Sequence, residues 1–259
     1  MSVLMRPWGH MHFRGQGPQA GLPVLFLNSL GTDLRMWQGV TDLLPHLRCI
    51  GMDKRGHGLS ATPPEPWSIE DLAEDALALL DHLALPRAVI AGCSIGGIIA
   101  QALAIRAPDR VAGLFLSNTA AKVGTEATWA ARTQAIRAGG IAGIAPAVLE
   151  RWFAPAFLAT PEAKPWATML LRADPEGYIG TCNLLADTDL TAQIASIRAP
   201  TLFLAGSADQ STPPDLVRAT AALIQGARVE VFAGSGHIPA IDAPARVAEL
   251  LNAFHGDLA

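Results

Sequence analysis

Short apolar runs recur along this chain between residues that favour turns, and the segments between several of them have helical spacing. Runs of four or five residues rich in Val, Ile, Leu and Phe are typical of strands buried on both faces of a sheet. Ser68 and Asp71 form a capping-box pattern at the start of one helical segment. The predicted strands are 24–27, 49–52, 88–91, 113–116, 201–205 and 229–232, and the predicted helices are 68–83, 96–106, 214–224 and 243–254.

Alternating strands and helices predict an α/β fold, with a mostly parallel sheet and helices on both of its faces. Residues 120–189 interrupt the alternation, because they show helical patterns and no run of strand type. We predict a single domain over residues 1–259, with 120–189 as a helical cap inserted between core strands. Such a cap would cover the carboxyl edge of the sheet, where ligands of these folds bind. Prolines divide its predicted helices, namely Pro146, Pro155, Pro161, Pro165 and Pro175.

Composition and charge limit the kinds of molecule that the protein is expected to bind. The 259 residues are 50% hydrophobic and 16% charged, which is enough for one sizeable core and argues against disorder. A net charge of −4 without a run of Lys or Arg gives no basic surface for nucleic acid or for an anionic membrane. No uncharged apolar run reaches the roughly 18 residues of a membrane span, and no signal peptide is evident, so we expect a cytoplasmic protein.

The cysteines also exclude a class of site. Cys49, Cys93 and Cys182 lie far apart, with no CxxC spacing and no neighbouring His cluster. Neither a disulfide framework nor a zinc site is indicated. We expect no metal and no cofactor, and a small molecule as the partner.

The sequence Gly-Cys-Ser-Ile-Gly at residues 92–96 lies directly between a predicted strand and a predicted helix. This is the context of a nucleophile elbow, in which a tight turn exposes the serine hydroxyl. Gly92 and Gly96 would remove Cβ atoms that crowd such a turn, and the helix dipole would favour negative charge beside Ser94. Taken alone, the pattern also fits an ordinary turn from strand to helix.

A serine nucleophile requires a histidine base and a carboxylate that orients the histidine. After an elbow of this kind, the carboxylate comes later in the chain than the serine, and the histidine comes later than the carboxylate. His237 comes directly after the predicted strand 229–232, and Asp209 comes soon after 201–205. Both would therefore share the sheet edge of Ser94. Other carboxylates and histidines of this half fit less well by position, namely Asp187, Asp189, Asp215, Asp242 and His255.

An oxyanion that forms on the attacked carbonyl needs N–H donors already in place. We predict the backbone N–H of Ile95 as one donor and that of Leu30, in the loop after strand 24–27, as the other. The motif DKRGHGLS at 53–60 also contains Asp, Arg and His, but it precedes Ser94, so we interpret it as scaffold.

These motifs resemble the α/β-hydrolases over the whole chain and, more narrowly, the 3-oxoadipate enol-lactonases. Lys54, before Arg55, departs from the family pattern. The resemblance rests on NSLGTDLRMW at 28–37, DKRGHGLS at 53–60, GCSIGG at 92–97, AGSADQSTPP at 205–214 and GHIP at 236–239, and in the cap on SNTAAKVGT at 117–125, RAGGIAG at 137–143 and ERWFAPAF at 150–157.

The resemblance implies a serine hydrolase that opens a small anionic enol-lactone to 3-oxoadipate during bacterial breakdown of aromatic compounds. The substrate carboxylate would need a cation, and Arg132 is preferred among the cap cations because it follows Trp129 by three residues on the same helix face. Trp129, Trp152 and Met36 are candidates for the pocket lining. A general carboxylesterase, a cofactor-free perhydrolase and a small-molecule receptor without activity remain as alternatives on the same scaffold.

Overall fold

An eight-stranded sheet forms the centre of the molecule, whose computed structural model describes residues 2–258. The strands lie in the order β1-β2-β4-β3-β5-β6-β7-β8. β2 pairs antiparallel with β1 and with β4, and the other neighbours pair parallel, which confirms the predicted fold class. The strands are β1 Ser2–Arg6, β2 Gly9–Gln16, β3 Val24–Leu27, β4 Cys49–Met52, β5 Ala88–Cys93, β6 Val111–Ser117, β7 Thr201–Gly206 and β8 Arg228–Phe232.

The six predicted strands correspond to β3–β8 with small differences at their ends. β3, β5, β6 and β7 are buried along their whole length, as continuous apolar runs predict. β1 and β2 were not predicted from the sequence. In β2, Met11 and Phe13 face the core while polar residues separate and flank them, and β1 is mostly exposed at the sheet edge.

Ten α-helices accompany the sheet in the described part of the chain. α2 packs against α3, and α1 packs against α10. The predicted capping box of α2 is confirmed, since the Ser68 hydroxyl accepts from the Asp71 N–H at 3.2 Å and the Asp71 carboxylate accepts from the Ser68 N–H at 2.8 Å. The helices are α1 Gln38–Thr41, α2 Ile69–His82, α3 Ile95–Arg106, α4 Glu126–Trp152, α5 Pro155–Leu158, α6 Lys164–Leu171, α7 Pro175–Asp187, α8 Pro214–Ala221, α9 Pro239–Asp242 and α10 Pro244–Gly256. None of those within residues 2–258 is both long and apolar enough to cross a bilayer.

The helices α4–α7 occupy the connection between β6 and β7, and α4 packs against both α6 and α7. Pro155, Pro165 and Pro175 stand at the first or second position of their helices, where the missing N–H is tolerated. Pro146, however, lies inside α4, and the break in that helix falls at Gly140, where φ is 64°. Only a residue without a Cβ takes that conformation readily, so the glycine and not the proline redirects the chain.

These helices rest on loops that follow the sheet strands. A Cβ added to Gly56, in the loop after β4, would lie 2.3 Å from the Gly177 Cα of α7. A Cβ on Gly236, in the loop after β8, would lie 2.5 Å from the Trp152 carbonyl oxygen at the end of α4. Backbone therefore meets backbone at both contacts, which lie at the carboxyl edge of the sheet.

Candidate active site

Ser94 stands at the turn between β5 and α3 in a backbone conformation that side chains rarely adopt, with φ 55° and ψ −121°. The turn is tight on both sides. A Cβ on Gly92 would lie 2.3 Å from the Gly96 carbonyl oxygen, and one on Gly96 would lie 2.3 Å from the Leu27 carbonyl oxygen. The Ser94 hydroxyl makes no capping hydrogen bond to its own helix. The structure therefore has the geometry of a nucleophile elbow.

Asp209 and His237 are in direct contact, with 2.8 Å between the Asp209 Oδ2 and the His237 Nδ1 atoms. Both side chains are buried at the carboxyl ends of β7 and β8. A carboxylate oxygen at Nδ1 accepts the hydrogen of that nitrogen, so Nε2 is the nitrogen left to take a proton. This is how the carboxylate of a catalytic triad orients its base.

The Asp209 carboxylate is surrounded by donors. Burial acts to raise its pKa, but the charge of His237 and hydrogen bonds from His237, Asn118 and Thr212 outweigh burial and hold the pKa well below its usual value. The Thr212 hydroxyl donates to Oδ2 at 2.6 Å, and the Ser211 N–H donates to Oδ1 at 2.7 Å. Asp209 is therefore ionised across the neutral pH range.

Asn118 is part of this network, although no sequence argument identified it. Its amide donates to the Asp209 Oδ2 atom at 2.7 Å and to the Gly236 carbonyl oxygen at 3.2 Å. Its φ of 48° turns the chain directly after β6, at the sheet edge that carries the other site residues. Asparagine tolerates that region better than most residues do. Its place one residue beyond a buried strand was the available signal.

The loop that carries His237 is fixed from three directions. The Asp242 carboxylate accepts from the Gly236 N–H at 2.7 Å and from the Ser235 hydroxyl. The His237 N–H donates to the Trp152 carbonyl oxygen at 2.8 Å, and the Cys93 thiol lies 3.5 Å from the His237 carbonyl oxygen. His237 is thus held by the end of α4 and by the residue before Ser94. Asp242, rejected as the triad acid because of its position, supports this loop.

Leu30 and Ile95 lie at the carboxyl ends of the adjacent strands β3 and β5. Within residues 2–258, neither backbone N–H has a hydrogen-bond acceptor, so both are free to donate to a ligand. The helix dipole of α3 adds positive potential at Ile95. The two N–H groups therefore stay the candidate donors for the predicted oxyanion hole.

Several contacts hold the loop after β3, and in two of them a side chain of the DKRGHGLS motif accepts from a backbone N–H. The Gly31 N–H donates to the His57 Nε2 atom at 3.1 Å, and the Leu34 N–H donates to the Asp53 Oδ1 atom at 2.8 Å. Burial, and then the charge of Lys54, lower the pKa of His57 well below its usual value, which keeps Nε2 free to accept. The motif interpreted as scaffold therefore supports the Leu30 loop.

The candidate pocket residues lie in different surroundings. Trp152 is buried, and its ring would be 3.3 Å from a Cβ on Gly31, beside Leu30. Met36 is also buried and directs its sulfur to the Ser29 N–H at 3.3 Å, so the structure places it beneath the Leu30 loop. Trp129 donates its indole N–H to the Val123 carbonyl oxygen at 2.7 Å, away from the loop.

Arg132 is half-buried and its guanidinium lies 5.7 Å from the Trp129 ring centre. Its Nη1 atom lies 3.5 Å from the Tyr178 hydroxyl, which it approaches as a donor. Burial raises the pKa of Tyr178 to about 12, so the hydroxyl remains protonated. A Cβ on Gly31 would lie 2.8 Å from the Tyr178 ring. Tyr178, the single tyrosine of the chain, therefore connects Arg132 to the Leu30 loop, and sequence reasoning missed it.

The three residues of the predicted triad are buried. Ser94 is 8% exposed, and Asp209 and His237 are each 4% exposed. Gly31 and His57 line a groove of about 350 Å³ that Met169 and Arg172 border on the α6 side. In the part of the chain that the structure describes, no three His, Cys, Asp or Glu side chains are grouped to hold a metal ion.

Comparisons with known proteins show the family of the chain. The model of the alpha/beta hydrolase family matches residues 24–250. The chain is 41% identical to 3-oxoadipate enol-lactonase 2 of Acinetobacter baylyi, over 75% of this chain and 74% of that protein. It is 35% identical to 3-oxoadipate enol-lactonase 1 of the same organism, over 92% and 90%.

A solved structure shows the same arrangement of the backbone. The crystal structure of the enol-lactonase from Burkholderia xenovorans LB400 superposes with a TM-score of 0.94, at 32% identity, and the match covers 98% of this chain and 99% of that one. The chain therefore belongs to the α/β-hydrolase family, as an ester-hydrolysing serine hydrolase.

Proposed function

We propose that this enzyme opens 3-oxoadipate enol-lactone to 3-oxoadipate through an acyl-enzyme on Ser94. The observation that carries the proposal is the buried Asp209–His237 pair at the sheet edge of an elbow serine. The enol-lactonase relatives at 41% and 35% identity support the choice of substrate.

In the first half of the reaction, Ser94 Oγ attacks the lactone carbonyl while His237 Nε2 takes its proton. The carbonyl oxygen becomes an oxyanion that accepts from the N–H groups of Leu30 and Ile95. The bond from the acyl carbon to the ring oxygen then breaks. The ring oxygen leaves as an enol or enolate, receives the proton from His237, and tautomerises to the ketone. An enol is a better leaving group than an ordinary alcohol, so its protonation is less demanding.

In the second half, His237 removes a proton from water, which attacks the acyl carbon of the ester on Ser94. The oxyanion hole stabilises a second tetrahedral intermediate, and the proton returns from His237 to Ser94 as the serine leaves. The Asp209 carboxylate stabilises the imidazolium in both halves. The product is the dicarboxylate of the opened ring, and the serine is regenerated.

Arg132 is the cation we propose for the carboxylate of the substrate. It is half-buried beside Tyr178, whereas three other cationic residues of the cap are exposed, namely Lys122, Arg137 and Arg151. Lys122 moreover pairs with Asp189 at 3.1 Å. A planar guanidinium can bind a carboxylate through two parallel hydrogen bonds, which makes the contact specific as well as strong.

The substrate can be tested with enol-lactone generated from muconolactone by an isomerase, following the loss of its ultraviolet absorbance. The expected result is turnover far above the buffer blank that S94A abolishes in a protein with an unchanged circular dichroism spectrum. Blank-level turnover of the lactone together with fast hydrolysis of neutral aryl acetates would instead identify a general esterase. Tight binding of the lactone without either activity would identify a receptor.

The carboxylate contact has a separate test with a matched control. R132A should lower kcat/KM for the anionic lactone by about 10–100-fold, since a hydrogen bond to a charged group contributes about 1.5–3 kcal/mol, and should change a neutral aryl acetate little. R137A removes an exposed arginine of the same helix and should leave both substrates unchanged. Equal losses on the two substrates in R132A would refute the role of Arg132.

A further inference from the structure

Lys54 is a buried lysine in the loop after β4, where the residue is 2% exposed. Its ammonium donates to the Ser29 carbonyl oxygen at 2.7 Å, which is its one hydrogen-bond acceptor within residues 2–258. An ammonium has three N–H donors, and burial without partners disfavours the charged form. Burial accordingly lowers the pKa of Lys54 well below its usual value, against the opposing charges of Asp53 and Asp33. Stability alone therefore gives no reason for a lysine here.

The acceptor of Lys54 belongs to the peptide group that matters for catalysis. The Ser29 carbonyl and the Leu30 N–H are the two ends of one planar, conjugated amide. In a trans peptide they point in opposite directions, so a donor at the Ser29 oxygen leaves the Leu30 N–H free on the other side. Withdrawing electron density at the oxygen makes the N–H a stronger donor.

Other groups at the same oxygen contribute position but no charge. The Thr32 hydroxyl donates to the Ser29 oxygen at 3.0 Å, and the Thr32 N–H donates at 3.3 Å. Neighbouring peptides are held as well, since the Ser29 N–H contacts the Met36 sulfur and the Gly31 N–H donates to His57. Of these contacts, the one from Lys54 is the shortest, and its amine is the one group among them that can carry a positive charge.

We propose that Lys54 is a positioning residue for the oxyanion hole, which fixes and polarises the Ser29–Leu30 peptide so that the Leu30 N–H binds the oxyanion more strongly. Lys54 touches neither the substrate nor Ser94 in this role. Either protonation state of the Lys54 amine supplies the N–H donor at the Ser29 oxygen. The negative charge that forms on the oxyanion favours the protonated state, whose positive charge then attracts the oxyanion through the peptide. The inference rests on the proposed function only for the place of Leu30 in the oxyanion hole, and applies to any ester that acylates Ser94.

Two substitutions separate the hydrogen bond from the charge. K54M has a similar length but neither a donor nor a charge, and K54Q keeps a neutral donor. K164M removes an exposed lysine at the start of α6 and serves as the matched control. The assays are hydrolysis of p-nitrophenyl acetate and the rate at which a fluorophosphonate labels Ser94, because the phosphoryl oxygen of that reagent also occupies the oxyanion hole.

K54M should lower kcat and the labelling rate by about tenfold, a fraction of the hundredfold or more that loss of a whole oxyanion donor causes. KM should change by less than about twofold, since the effect is confined to the transition state. K54Q should lower the same two rates by about threefold, which lies between the wild type and K54M. K164M should have the rates of the wild type. Because an apolar side chain replaces a buried amine that has one hydrogen-bond acceptor, the Tm of K54M should be equal to that of the wild type or higher, which a merely structural lysine would not give.

Both rates are normalised to the concentration of Ser94 that the fluorophosphonate labels. If K54M or K54Q folds and its kcat and labelling rate stay within twofold of the wild type, the inference is overturned. If K54M does not fold, K54Q decides by the same measure. A rise in KM with kcat retained would also overturn it, as would a wild-type enzyme whose Ser94 the fluorophosphonate does not label. An enzyme that hydrolyses p-nitrophenyl acetate but not the enol-lactone would refute the proposed substrate and leave the test of Lys54 intact.

Discussion

Replacing Thr212 with valine removes one hydrogen bond from the Asp209 carboxylate and preserves the shape of the side chain. The Thr212 hydroxyl is buried and donates to the Asp209 Oδ2 atom at 2.6 Å. The same oxygen keeps its bonds from His237 at 2.8 Å and Asn118 at 2.7 Å. A hydrogen bond to a charged group contributes about 1.5–3 kcal/mol, so T212V should lower the free energy of unfolding by about 2 kcal/mol. For a chain of this size the Tm should fall by about 4–8 °C.

The effect of T212V on the rate should be smaller. Because two donors remain on Oδ2, His237 stays oriented, and kcat should fall by less than about tenfold, which corresponds to less than about 1.4 kcal/mol. Thermal and urea unfolding followed by circular dichroism give the stability, and hydrolysis of an aryl acetate gives the rate.

Thr181 offers a matched control for this prediction. It is also buried, but its hydroxyl donates to the neutral Gly177 carbonyl oxygen within α7 at 3.0 Å. T181V should therefore cost clearly less than T212V, about 1 kcal/mol or below. If T212V destabilises the protein no more than T181V does, the charge of Asp209 does not stabilise this network and the reasoning fails.

Two further predictions concern the elbow and the triad acid. G96A should lower the free energy of unfolding by about 3 kcal/mol or more, because the added Cβ would meet the Leu27 carbonyl oxygen at 2.3 Å. G139A serves as the control, since open space surrounds Gly139 and the substitution should not destabilise the protein in this way. Urea unfolding compares the two variants, and a G96A protein as stable as the wild type would contradict the geometry. The folded-state pKa of Asp209 lies below its unfolded value, so its ionised form contributes stability above about pH 4 that is lost as the pH falls toward the folded pKa. The difference in unfolding free energy between wild type and D209N should thus shrink between about pH 5 and pH 3, and a constant difference would show that the pKa is not lowered.

Sequence reasoning located most accurately the residues whose position follows from the ends of strands. Ser94, Asp209 and His237 each come soon after a buried apolar run, and parallel strands bring their carboxyl ends to one edge. The contact between Asp209 and His237 follows from this topology and from their order in the chain. No side-chain detail was needed to bring these residues together.

What the sequence did not reveal depends on partners that are distant along the chain. Asn118 follows β6 like any turn residue, and its importance arises from Asp209, 91 residues later. Lys54 has the composition of a surface loop, and only the folded chain shows that its ammonium meets Ser29. The sequence predicts that Pro146 divides two helices of the cap, but the break within α4 falls at Gly140, where a positive φ requires the glycine.

The chain leaves the sheet at the end of β6 and returns at the start of β7, so the whole of α4–α7 is attached through a single connection. If Arg132 binds the substrate as proposed, such an arrangement lets evolution or an engineer exchange the segment that selects the substrate while Ser94, Asp209 and His237 stay in place. The contacts described above set the rules for such a graft. A new segment must supply a backbone carbonyl that accepts from the His237 N–H, as Trp152 does. It must also have a glycine, like Gly177, where its backbone packs against Gly56. Segments that meet both conditions could carry new substrate preferences without retuning the triad.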